Sequence, residues 1–216
     1  MTPSARISTL ARLVEAYGRT PVRDVAIVGN APLTPSESRA NRIDACDVVV
    51  RITSFMLDTF GGPSAHGWRT DVVMLHRGTT ASPHTFAQHT GRLYILVEPG
   101  RRHWELPTMP HWWPLDLGLV HLPNDIFSES LVDALGYSRH RPEWATTGTL
   151  ATWTMSLLFP EASLWLAGFS ITDRPDQRQF EHAWGGPVDV TPEHHLDAEA
   201  RFLLRQRDEG RVTFLP

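Results

Sequence analysis

Two short apolar runs constrain this chain more than anything else in it. Val25-Ala26-Ile27-Val28 stops at Gly29-Asn30-Ala31-Pro32, and Val48-Val49-Val50 stops at Arg51. Runs of β-branched residues without a polar alternate, bounded by Gly, Asn and Pro, are buried strands of a parallel sheet. Such sheets bind ligands just beyond the carboxyl ends of their strands. Gly29 and Asn30 stand at one such end, and Arg51, Thr53 and Ser54 at the next. Gly29 lets backbone approach a ligand, and Asn30 offers both a donor and an acceptor. These residues form a candidate nucleotide cradle, although on spacing alone a Gly-Asn turn after a strand is more often just a turn.

The rest of the chain extends the same pattern. Residues 4–17 carry Ile7, Leu10, Val14 and Tyr17 at helical spacing, an amphipathic helix beside the first strand. Residues 34–42 lack a sustained apolar face and read mostly as a loop over the site, although Ser36 followed by Arg39 can start a short helix. Residues 55–68 read as a loop. Further strands are expected at 71–76, 92–97 (stopped by Pro99-Gly100), 117–122, 163–169 and 211–215. Trp104, Trp112 and Trp113 lie among prolines, in a segment that serves either as an acceptor platform or as core filling. Thr146 or Thr147 caps a helix with Leu150, Trp153, Leu157 and Leu158 on its apolar positions, ended by Pro160. The Gly148 turn at its start is a ready anion site. A last helix is led by Glu193-His194-His195.

Composition excludes several chemistries. All 20 basic residues are Arg, so neither a Schiff-base lysine nor a P-loop lysine exists. The single cysteine, Cys46, forbids an internal disulfide and a thiolate zinc cluster, and reads as a buried spacer. A net charge of −4 gives no reason to expect nucleic acid. No apolar run is long enough to span a membrane, and the N-terminus lacks a signal-peptide pattern. Neither Asp-x-Asp nor His-x-x-x-His occurs, and adjacent histidines diverge, so no metal set is expected. Gly29-Asn30-Ala31-Pro32 lacks the Gly-x-Gly-x-x-Gly fingerprint of a nucleotide-dependent oxidoreductase.

Four blocks in order resemble the sialyltransferases of glycosyltransferase family 29. Val28-Gly29-Asn30, the register Ile43-Asp44-x-x-Asp47-x-Val49-x-Arg51 and Gly67-Trp68-Arg69-Thr70 are similar to the family's large motif. Thr146-Thr147-Gly148 with Gly168-Phe169 resembles the small motif, and His194 followed by Glu199 the very short one. Phe180-Glu181-His182-Ala183-Trp184 is loosely similar to a further aromatic histidine motif. The chain departs from the family at Thr53, where Asn is usual, and at Val25 and Phe159, where the family has disulfide cysteines. The resemblance implies an α/β fold, a single Rossmann-like domain of the GT-A variant over 1–216. It implies an inverting, metal-independent glycosyltransferase that moves sialic acid or a related keto-sugar such as Kdo from a CMP-sugar to a glycan or glycolipid hydroxyl. No cofactor is implied. Gly29, Asn30, Arg51, Thr53, Thr146, Thr147 and Gly148 would hold CMP. His194 would be the general base, placed at a helix start, and His182 would neutralise the leaving phosphate. The missing anchor and cysteines fit a reducing cytoplasm and a prokaryotic source. A non-catalytic nucleotide or glycan binder on the same fold is the rival expectation.

Overall fold

The computed structural model describes residues 2–98, 113–114, 116–138 and 140–216. Its strands are β1 (Asp24–Val28), β2 (Val48–Ile52), β3 (Val72–Leu75), β4 (Leu93–Leu96), β5 (Val120–His121), β6 (Ser163–Ala167) and β9 (Val212–Phe214). They form one parallel sheet in the order β5-β4-β3-β2-β1-β6-β9. The chain winds outward from β1 to β5, then returns to β1's other edge with β6. The order therefore reverses between β1 and β6, the point where α/β sheets open a crevice. A short antiparallel ribbon, β7 (Gln179–Phe180) with β8 (Val188–Asp189), stands apart from the sheet.

Alternation along the strands separates two faces. Val25 and Ile27 join Val48, Val50, Val72, Met74 and Ile95 in the larger core, under the helices α1 (Pro3–Glu15), α3 (Ser128–Leu135), α4 (Thr147–Leu158) and α5 (Leu196–Asp208). Ala26, Val28 and Val49 face the other way, with Ile43 and Cys46 of the α2 segment (α2, Glu37–Ala45). Under β3 and β4 that second face continues as Phe55, Val73, Leu75, Tyr94 and Leu96. Val25 and Phe159, where the family that the sequence resembles has cysteines, are both in the larger apolar core. Cys46 is fully buried, and burial pushes its thiol up to about 11, as expected of a spacer.

Three elements differ from the sequence expectation. Residues 37–45 are a helix: the Ser36 hydroxyl accepts from the Arg39 N–H at 3.3 Å. Its inward face holds only Ala40 and Ile43 as apolar residues, with Arg39 buried between. The Arg39 guanidinium donates to the carbonyls of Ala65, Thr34 and Pro216, so a cation does the work that an apolar stripe would signal. α3 was not expected; it buries Leu131 and ends at Gly136, whose φ of 74° closes the helix. α5 starts at Leu196, not at Glu193, which leaves His194 outside the helix. Trp104, Trp112 and Pro99-Gly100 lie outside the described residues. Trp113 fills core: its ring meets Phe86 and Tyr94 edge-on, and its indole N–H donates to Leu117 at 3.0 Å.

The charged motif residues between Ile43 and Thr70 prove to be a scaffold. Arg51, fully buried, donates to the Arg69 carbonyl (3.1 and 2.8 Å) and to the His66 carbonyl (2.7 Å). Both oxygens of Asp44 accept from the Trp68 N–H, and one also accepts from Arg69. Asp47 accepts from the N–H groups of Arg23 and Asp24. Gly67 has φ of 76°, and a Cβ there would sit 2.6 Å from the Asp44 carboxylate. Burial pushes the Arg51 guanidinium down to about 10, opposed by the nearby Asp44 and Asp58 charges, so it stays charged at neutral pH. Arg51 has the parity of Val49 along β2, opposite to that of Val50 and Ile52, so period-two alternation turns it away from the face that carries α4. Replacing Arg51 by Met leaves the His66 and Arg69 carbonyls without these donors. Urea unfolding of Arg51→Met should show a loss of about 3 kcal/mol, with ligand affinity of the folded fraction unchanged.

Candidate active site at the sheet reversal

The reversal between β1 and β6 is built on two glycines set backbone to backbone. Gly29 N–H donates to Ala167 at 2.8 Å, and Ala31 N–H donates to Gly168 at 3.2 Å. A Cβ on Gly29 would lie 2.3 Å from the Gly168 carbonyl oxygen, and Gly168 has φ of 70°. Gly29 is thus required for contact with Gly168, before any role toward a ligand. Beyond this contact opens a cavity of about 460 Å³, in the range of small-molecule sites.

Eight of the nine residues expected to act here line it: Gly29, Asn30, Thr53, Thr146, Thr147, Gly148, His182 and His194. Arg51 does not; it is the scaffold cation described above, and Ile52 and Thr53 take the cavity side of that strand end. Sequence reasoning missed His76, Thr79 and Glu98, which line the cavity from the ends of β3 and β4. Their strands were legible, and the strand-end rule applied to β1 and β2 also points to them.

Asn30 is buried and donates its side-chain N–H to the Thr53 hydroxyl, while its Oδ1 has no hydrogen-bond partner. Thr53 holds φ at 48°, a left-handed conformation that a β-branched side chain resists and that Asn tolerates. The position where the family that the sequence resembles has Asn is therefore one whose backbone favours Asn.

Across the cavity, α4 presents its N-terminus. Thr146 is the cap, its hydroxyl accepting from the Thr149 N–H at 3.4 Å. Thr147 and Gly148 are the first two helical residues, whose N–H groups have no carbonyl one turn back to meet. Gly148 allows close packing: a Cβ there would stand 2.9 Å from the Phe169 ring. The cap is held from behind by Glu199 of α5, fully buried, whose carboxylate accepts from the Thr146 N–H (3.0 and 3.1 Å) and hydroxyl (2.7 Å). Burial pushes the Glu199 pKa up, opposed by these hydrogen bonds.

The two adjacent histidines part company. His194 Nδ1 lies 2.9 Å from the Trp144 carbonyl. A carbonyl only accepts, so Nδ1 donates, and in the neutral ring the lone pair is then on Nε2. His195 instead packs against Tyr137 and sits 3.4 Å from Glu143, outside the cavity. The ring of His182 lies nearly parallel to that of Phe180, centroids 6.3 Å apart, on the β7–β8 ribbon. The N–H of Ala183 ties this ribbon to the Asn30 carbonyl at 2.7 Å. Burial lowers the His182 pKa, favouring the neutral ring. Among the described residues no three His, Cys, Asp or Glu side chains gather as a metal set, and no helix is long and apolar enough to cross a membrane.

Site and sheet together define an α/β protein with a small-molecule cavity at its topological switch point. Its fold is that of the mammalian sialyltransferases. It superposes on the crystal structure of one with a TM-score of 0.61 at 15% identity, over 97% of this chain and 78% of the other. Against a mammalian sialyltransferase in complex with Gal-β-1-3GalNAc-ortho-nitrophenol the values are 0.57 and 16%, over 97% and 79%. No protein-family profile and no curated sequence matches the chain. The Rossmann-like α/β arrangement implied by the sequence resemblance is thus the fold observed.

The strained Thr53 yields a direct test. Thr53→Asn should raise stability by about 1 kcal/mol and Thr53→Val should lower it, measured by urea unfolding at neutral pH.

Proposed function

We propose that the protein transfers a sialic acid or a related keto-sugar such as Kdo from a CMP-sugar to a hydroxyl of a glycan or glycolipid, with inversion. One observation supports this reading: Gly29-Asn30, Thr146-Thr147-Gly148, His182 and His194, segments that the resemblance singled out and that are far apart in the chain, line one cavity. Asn30, with its unpartnered buried Oδ1, and Thr53 would hold the nucleotide beside Gly29. The free N–H groups of Thr147 and Gly148 would receive the phosphate. No arginine lines the cavity among the described residues, so N–H groups and histidines are the available phosphate partners.

His194 Nε2 would take the proton of the acceptor hydroxyl as its oxygen bonds to the anomeric carbon. The bond from that carbon to the phosphate oxygen breaks, and its electron pair leaves with CMP. Phosphate held this way requires no metal. His182, neutral in the free protein, would become the proton-bearing partner of the phosphate once that anion raises its pKa.

CMP at 100 times its Kd should add about 2.7 kcal/mol of apparent stability, read as a thermal shift that UDP and NAD do not give. A larger response to UDP or NAD overturns the donor class, and CMP binding without turnover of any CMP-sugar favours a non-catalytic binder. His182 sets the sign of the pH dependence. Its free pKa is lowered and the phosphate raises it, so binding takes up a proton between the two values. CMP affinity should therefore rise from pH 8 to pH 6.5, above the second phosphate ionisation near 6, and His182→Gln should flatten that rise in calorimetric titrations.

His194→Ala should lose about a hundred- to ten-thousand-fold in kcat while still binding CMP, and His195→Ala should change little. Turnover should survive EDTA. Full activity in His194→Ala, or activity restored only by magnesium or manganese, contradicts the mechanism.

A further inference from the structure

We infer that Glu98 is a specificity-determining residue, whose carboxylate accepts a hydrogen bond from a hydroxyl group of a sugar bound in the cavity. This rests on the CMP-sugar reading above and adds a contact that none of the resembling motifs contains.

Glu98 follows β4 directly and lines the cavity, yet it is only 4% exposed. One carboxylate oxygen is committed: Oε1 accepts from the Arg77 backbone N–H at 3.1 Å and lies 3.2 Å from Arg77 Nε. The backbone carbonyl of Glu98 is also taken, by the Asn124 side chain at 2.8 Å. The second oxygen, Oε2, is buried and has no hydrogen-bond partner. An ionised carboxylate is acceptor-only, so what is missing is a donor. Leaving such an oxygen dry and unpaired is unfavourable, and buried polar atoms of this kind mark places completed by something else.

Position narrows the ligand. β4 is three strands from β1 in the sheet, about 14 Å at ordinary strand spacing. The phosphate cradle lies at the β1 end, and a carboxylate repels phosphate. Glu98 therefore serves a part of the ligand away from the phosphate. Sugar hydroxyls are the donors available there, and a bond from hydroxyl to carboxylate is of the short, charge-assisted kind. The hydroxyl belongs either to the sugar being transferred or to the acceptor. Glu98 discriminates in either case, because a sugar without a hydroxyl at that point leaves the buried oxygen unpaired.

Glu98→Gln tests the inference with little disturbance. Its amide oxygen still accepts from the Arg77 N–H and so holds the loop, while an NH2 group replaces the free oxygen. Glu98→Ala removes both. Dissociation constants would be measured by calorimetry on the full chain for CMP, for CMP-N-acetylneuraminic acid and CMP-Kdo without acceptor, and for Gal-β-1-3GalNAc-ortho-nitrophenol with CMP bound. CMP should bind both variants within about twofold of the unmodified protein, whereas either the donor-sugar arm or the acceptor arm should weaken about tenfold; the arm that weakens names the source of the hydroxyl. Unchanged affinity in both arms overturns the inference and leaves the CMP reading intact. Equal weakening of CMP and of the sugar probes also overturns it, since Glu98 would then act only by holding the loop at 76–80. Failure of CMP to bind the unmodified protein overturns the CMP reading, and the inference with it.

Discussion

Everything at the site depends on how closely β1 and β6 can approach where their ends turn. The Gly29 and Gly168 backbones touch so tightly that a single Cβ on either would meet carbonyl oxygen at 2.3 or 2.9 Å. Overpacking of that kind forces backbone shifts. Because these strands straddle the reversal of the sheet, any shift would move the Asn30 turn relative to the loop that carries Phe169 and Ser170. Phe169 in turn packs on Gly148, so the register of the α4 N-terminus follows from the same contact. A chain of glycine-mediated approaches, from 29 to 168 and from Phe169 to 148, sets the shape of the cavity wall.

A second set of constraints works on the opposite face and without glycine's freedom. Arg51, Arg39 and Arg92 are buried with their guanidinium groups given to backbone carbonyls of loops. A guanidinium has five donors in a fixed plane and can satisfy several carbonyls at once, which a lysine ammonium does less well. In a chain with no lysine, Arg51 and Arg39 close the long 53–70 segment onto the sheet, and Arg92 ties down the loop at His84 and Thr85. The 53–70 segment lacks regular structure, so its carbonyls would otherwise be stranded. Asp58 supplies the converse: its carboxylate accepts from the N–H groups of Ala65, His66 and Gly67.

Much of this was legible in the sequence, for identifiable reasons. The five inner strands are short, largely apolar runs, rich in β-branched residues in β1 and β2, and the α4 start carries a threonine cap near a glycine. Both signals are local, so position along the chain sufficed. What escaped was non-local. The α2 helix is held by a buried arginine whose partners include residues 65 and 216. Arg51 was placed among the ligand contacts because it lies near a strand end; the parity that turns it away depends on where that strand stops. His194 was expected at the start of a helix, whereas it precedes α5, and its ring meets the Trp144 carbonyl, fifty residues earlier. The separation of His194 from His195 was foreseen, though by way of helical geometry that neither residue adopts.

The clamp between Glu199 and Thr146 has a consequence for release. Glu199 stands behind the α4 N-terminus and occupies the cap's own N–H, so the helix end offers an incoming anion fewer donors than a free one would. The Glu199 side chain also takes up the cap hydroxyl. On the function proposed here, that built-in competitor limits how tightly spent CMP can be held. A site with a bare helix terminus and a guanidinium would grip product; on the proposed function, the same buried acid that keeps the cradle in shape would also limit its affinity.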